Sequence, residues 1–234
     1  VFFLFTGSAA NALGLAAVCR SYHSILCHEA SHVQNDECAG PEFFSGGAKV
    51  RPLPGRDGRL RPETLEAALA KRTDLHFSKN GALSLTQATE LGTVYSVDQI
   101  KALTAVARRH RMPVHMDGAR FANAVASLGC APKDITWRAG VDLLSFGLTK
   151  NGTLAGEALV FFNPDEAMLA EFHRKRGGHL WSKHRYLAAQ FEAYLAGDLW
   201  LELDTASNTS MARLRNGISS SNNASILAGG DGNE

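Results

Sequence analysis

Short apolar runs alternate along the chain with longer stretches in which apolar residues recur every three or four positions. VFFLF (1–5) is the first run, and SILCH (24–28), AKVRPLP (48–54), ALSLTQAT (82–89), MPVHMDGAR (112–120), VDLLSFG (141–147) and EALVFF (157–162) repeat the type. Runs of this length bounded by turn residues predict buried strands. Between them, ALGLAAVCRSY after GSAAN, RPETLEAALAKR (61–72) and SVDQIKALTAVARRHR (96–111) have helical spacing, with Pro62 in a first turn and Ser96 as an N-cap. Strands alternating with helices of ten or more residues imply a mostly parallel sheet with crossover helices, an α/β protein. From Asp165 to about Leu203 the pattern is helical, interrupted by the turn GGHLWSKHR. The tail from Asn216 is rich in Ser, Asn and Gly without periodicity, and is expected to be poorly ordered.

Composition adds limits. The 234 residues are 45% hydrophobic and 20% charged, enough to bury one large core, and the formal net charge of +1 is not segregated along the chain. No electrostatic footprint for nucleic acid or a membrane surface results, so the expected partners are small molecules or copies of the same chain. Four cysteines without CxxC spacing and nine histidines without an HExxH motif imply reduced thiols, a cytoplasmic setting and no metal. The apolar start lacks a basic leader and is broken by Thr6, Gly7, Ser8 and Asn11, which argues against a signal peptide. It begins inside a strand and without Met, so N-terminal residues are expected to be missing.

Chemistry concentrates where strands end. In LSFGLTKNGT (144–153), Lys150 lies in the turn after a core strand, either snorkelling to water or delivering an amine into a cleft. Gly7 and Ser8 stand where a strand becomes a helix, so backbone N–H groups there could hold an anion, though Ser8 could equally be a plain N-cap. Asp117 ends another strand, in an Asp-Gly pair that also suits an ordinary turn. In an open α/β sheet, ligands bind beyond the carboxyl ends of the strands, which would bring these groups together. A phosphate cradle, a carboxylate and an amine are what a protein needs to hold pyridoxal phosphate.

HMDGARFANA (115–124), together with GSAAN (7–11), EASH (29–32), SLTQATELGTVY (84–95) and SFGLTKNG (145–152), resembles the low-specificity L-threonine aldolases. The similarity runs from residue 1 to about residue 203. It implies the pyridoxal-phosphate-dependent fold of aspartate-aminotransferase type, with a cofactor-binding large domain over 1–165, a helical connection over 166–210 toward a small domain that is largely missing, and a poorly ordered tail over 211–234. The implied reaction is retro-aldol cleavage of L-threonine or L-allo-threonine to glycine and acetaldehyde, in a homodimer or homotetramer. By the same resemblance Lys150 matches the lysine bonded to the cofactor, Asp117 the partner of its pyridine nitrogen, His32 the imidazole stacked on its ring, and Gly7 and Ser8 the phosphate-binding pair. Arg120 matches the arginine for the substrate carboxylate, and Lys183 and Arg185 fall in a loop that approaches the phosphate. Thr89 stands where many relatives carry a second histidine, leaving a water or His32 as the base for the β-hydroxyl. The chain looks truncated at both ends. The alternatives are another pyridoxal-phosphate β-eliminating lyase and a truncated, catalytically impaired homologue.

Overall fold

The computed structural model describes residues 1–72, 74–221 and 224–226. Seven strands form one sheet: β1 (Phe2–Leu4), β2 (His23–His28), β3 (Lys49–Leu53), β4 (Lys79–Thr86), β5 (Val114–Gly118), β6 (Leu143–Gly147) and β7 (Glu157–Phe161). Their order is β1-β7-β6-β5-β4-β2-β3, and β7 alone runs against its neighbours. This is the mostly parallel sheet read from the apolar runs.

The helices are α1 (Gly7–Val18), α2 (His32–Asn35), α3 (Gly40–Ser45), α4 (Pro62–Ala70), α5 (Val97–Arg109), α6 (Phe121–Leu128), α7 (Met168–Arg176), α8 (Arg185–Leu195) and α9 (Leu199–Ser219). α5 starts with a complete capping box: Ser96 accepts from the Gln99 N–H, and the Gln99 side chain accepts from the Ser96 N–H. α1 is built of small residues because it lies directly on the sheet. A Cβ at Gly14 would fall 2.9 Å from Leu159 Cδ1 and 3.2 Å from Leu143 Cδ1. One face of the sheet, with α4, α5, α6, α8 and α9, encloses the largest core cluster, which includes Leu83, Met116, Ile100, Phe121 and Trp200.

α9 differs from expectation. It continues to Ser219, through the start of the tail expected to be irregular from residue 211, and from Asn216 in particular. The hydroxyls of Thr205, Thr209 and Ser210 bond back to the carbonyls of Leu201, Thr205 and Ala206, so a Ser/Thr-rich stretch satisfies itself within the helix. Asn208 and Asn123 exchange hydrogen bonds of 3.0 and 3.1 Å that fasten α9 to α6. Residues 222–223 and 227–234 of that tail lie outside the described residues. Among the described residues no helix is long and apolar enough to cross a membrane.

Candidate active site

A cleft of about 200 Å³ opens beyond the carboxyl ends of β5 and β6, against the start of α1. Gly7, Ser8, His32, Asp117 and Lys150 all line it. The cap of α1 is Thr6, whose extended backbone lets its hydroxyl accept from the Ala9 N–H at 3.2 Å. Ser8 is therefore not the cap; it stands in the first turn, on the cleft wall. The helix start turns backbone N–H groups and the positive end of a dipole toward the cleft.

Asp117 ends β5 and is only 2% exposed. One oxygen accepts from the Ala119 N–H at 3.1 Å and the other from the Asn11 amide at 2.9 Å. The same amide donates to Glu37 at 2.7 Å, and Glu37 lies 3.0 Å from His32 Nδ1. Lys150 sits in a single 3₁₀ turn, Thr149–Asn151, between β6 and β7. That turn is anchored from outside: the Asn151 amide reaches the Tyr194 hydroxyl at 2.6 Å, the Trp200 carbonyl at 3.1 Å and the buried Asp204 carboxylate.

Glu157 opens β7 and lines the same cleft, 5% exposed. Burial pushes its carboxyl up to about 7; the Asp117 charge adds to this, while Thr149 hydrogen bonds and the Lys150 charge oppose it. Near neutrality Glu157 is thus poised between its acid and its anion.

Four residues fall elsewhere. Arg120 precedes α6 but is absent from the cleft lining, and its guanidinium faces Glu90 at 3.4 Å. Lys183 and Arg185 do not line the cleft either, and Arg185 lies over the Tyr186 ring. Their loop packs instead on a residue of the cleft wall: Trp181 and His179 lie against Phe5, with ring centroids 5.0 and 6.1 Å away. Thr89 is buried with its hydroxyl 2.7 Å from that of Thr93, held in a turn.

The sequence reading assigned no role to Asn11, Glu37, Thr149 or Glu157. Asn11 closes the GSAAN motif, and a charged residue opening the otherwise apolar run EALVFF is a visible signal for Glu157. Glu37 gave none, because what distinguishes it is a contact with a residue 26 positions away.

The Beta-eliminating lyase family matches residues 1–227 of the chain. The chain belongs to that family. It is 50% identical to the low specificity L-threonine aldolase of Pseudomonas aeruginosa over 201 residues, 86% of this chain and 58% of that protein. It is 46% identical, with the same coverage, to the low specificity L-threonine aldolase of a Pseudomonas sp.. Among solved structures it superposes on the Leishmania major threonine aldolase with a TM-score of 0.87 and 29% identity, covering 93% of this chain and 63% of that one. The chain thus spans a little over half the length of the curated relatives it matches.

Proposed function

We propose that this chain is the cofactor-binding part of an L-threonine aldolase, which uses pyridoxal phosphate to cleave L-threonine or L-allo-threonine into glycine and acetaldehyde. The observation that carries the reading is the meeting of three groups in one small cleft: the start of α1, the Lys150 amine and the buried Asp117 carboxylate. The donor set fits the cofactor, with N–H groups for a phosphate, an amine for a carbonyl carbon and a carboxylate for a ring N–H. When bound, pyridoxal phosphate supplies the electron sink for the pair released as Cα–Cβ breaks.

The chain's residues divide the remaining work. Gly7 and Ser8 hold the phosphate at the helix start. Asp117 accepts from the protonated ring nitrogen, and the bonds from Asn11 and Ala119 fix its plane for that task. His32 covers the ring from the cleft wall. Arg120 offers a planar fork for the substrate carboxylate, which must draw it from Glu90. Thr89 is engaged with Thr93, which leaves a water or His32 to take the β-hydroxyl proton. Assembly into a dimer or tetramer belongs to the same reading.

Incubation with pyridoxal phosphate followed by borohydride reduction and peptide mapping tests the cofactor, with the label expected on Lys150. Colourless protein with no labelled peptide would overturn the reading. Release of acetaldehyde and glycine from L-threonine tests the substrate, and bound cofactor without either product would overturn that part alone.

A further inference from the structure

Four side chains from separate segments form one unbroken hydrogen-bonded series beneath the cleft. His32 opens α2, Glu37 follows that helix, Asn11 sits in the second turn of α1, and Asp117 ends β5. The links are His32 Nδ1 to Glu37 Oε1 at 3.0 Å, Asn11 Nδ2 to the same Oε1 at 2.7 Å, and Asn11 Nδ2 to Asp117 Oδ2 at 2.9 Å. Both hydrogens of the amide go to carboxylates, which fixes its orientation, since the flipped amide would set its own oxygen against two acceptors.

The Glu37 side chain has no exposure at all. Two carboxylates joined by a neutral amide, both removed from water, require compensating positive charge. His32 is the group in the series that can supply it. A proton placed on Glu37 instead would sit either on Oε1, donating to a neutral His32 and making that oxygen a weaker acceptor for the Asn11 amide, or on Oε2. Oε2 has no hydrogen-bond partner, and a buried unpaired donor is worse tolerated than a buried unpaired acceptor.

We propose that Glu37 and Asn11 are positioning residues of this site: Glu37 is the counter-ion that keeps the His32 ring protonated, and Asn11 keeps Glu37 ionised while tying it to Asp117. The series then holds two carboxylates for two cationic rings, the His32 imidazolium and the protonated nitrogen of a bound pyridine ring, and of the two bases named above the imidazolium falls away, leaving a water to take the β-hydroxyl proton. Its second half rests on the cofactor reading above; its first does not. Other charges act in the same direction. The hydrogen bond to Glu37 is the largest influence raising His32 above the ordinary imidazole value, burial opposes it, and the charges of Glu37, Asp117 and Glu90 reinforce it. Glu37 itself is raised by burial and by the Asp117 charge, against the bonds from His32 and Asn11 and the His32 charge.

The test is a titration of the His32 ring by ¹³C–¹H NMR in the cofactor-free protein, with the signal assigned by its loss in His32→Asn. The wild-type midpoint should lie above the ordinary imidazole value. Glu37→Gln keeps the shape but not the charge and should bring it down, while Asn11→Ala removes one donor to Glu37 and should shift it the same way by less. A wild-type midpoint at or below the ordinary value overturns the proposal even if a variant fails to fold, and so does an unchanged midpoint in either folded variant. Failure of the protein to take up pyridoxal phosphate would leave this titration standing and refute only the reading of the cleft.

Discussion

Asp117 shows how much one side chain settles. With two donors already on its oxygens and almost no exposure, it stays a directed acceptor when a ligand arrives. Asp117→Ala should keep phosphate anchoring at α1 but lose a charge-assisted bond worth roughly 1.5 to 3 kcal/mol, so turnover should fall at least about tenfold. Wild-type kcat in that variant would remove Asp117 from the chemistry. Glu157 gives a prediction about stability. Its folded form holds a proton up to about pH 7, whereas an exposed glutamate releases it near 4.5. Between those values the unfolded chain binds fewer protons than the folded one, so stability falls as pH rises, by on the order of 3 kcal/mol in all. Urea unfolding at a series of pH values should show a shallower fall in Glu157→Gln, and a slope equal to wild type would refute the assignment. At this scale much was legible: Gly7, Ser8, His32, Asp117 and Lys150 follow apolar runs, and strand ends in an α/β sheet converge. Arg120 was legible as a type but not as a place, because Glu90 holds it by a contact that no local pattern encodes.

Elements position these groups through a few close contacts. The Lys150 turn has little regular structure of its own and depends on α8 and α9, which present Tyr194, the Trp200 carbonyl and Asp204 to Asn151. Burial pushes the Asp204 carboxyl up to about 6, with the Asn151 bond opposing. Asn151→Ala strands buried polar groups and should cost about 1 to 3 kcal/mol in chemical denaturation, with a matching loss of order at Lys150. A variant as stable as wild type would show that the tether carries little. β6 makes a second demand: a Cβ at Gly147 would lie 2.8 Å from Ala119 Cα and 2.9 Å from its carbonyl oxygen, both backbone atoms that cannot swing aside. Gly147→Ala should spread the ends of β5 and β6 and lower the thermal midpoint and cofactor uptake together. Uptake at the wild-type level would place the strain elsewhere. The long strands and the helices α1, α4 and α5 were readable from periodicity. α2, α3 and α6 are too short to show a repeat, and α9 outran its composition because the Asn123–Asn208 contact fastens it to α6 while its hydroxyls turn back onto the helix's own carbonyls.

Taken whole, the molecule leaves many large apolar side chains uncovered after its sheet. Trp181, Tyr186, Leu195, Leu199, Met211 and Leu214 are all exposed across the segments that follow the sheet. Surfaces of this kind favour association, so light scattering at rising concentration should report a mass above that of the monomer. A constant monomer would count against the proposed assembly. The mostly parallel order was legible from alternating strands and helices, whereas the place of β1 was not: it pairs with β7, through Phe2 with Leu159 and Leu4 with Glu157, across more than 150 residues. That pairing governs when the cleft can exist. The strand leading into α1 has no sheet neighbour until residue 161 has emerged, so a growing chain carries VFFLF as an unpaired apolar strand over the whole of that stretch. Loop closure over such a span is slow, so ligand-binding competence, which needs α1 seated beside a paired β1, should arrive late in folding.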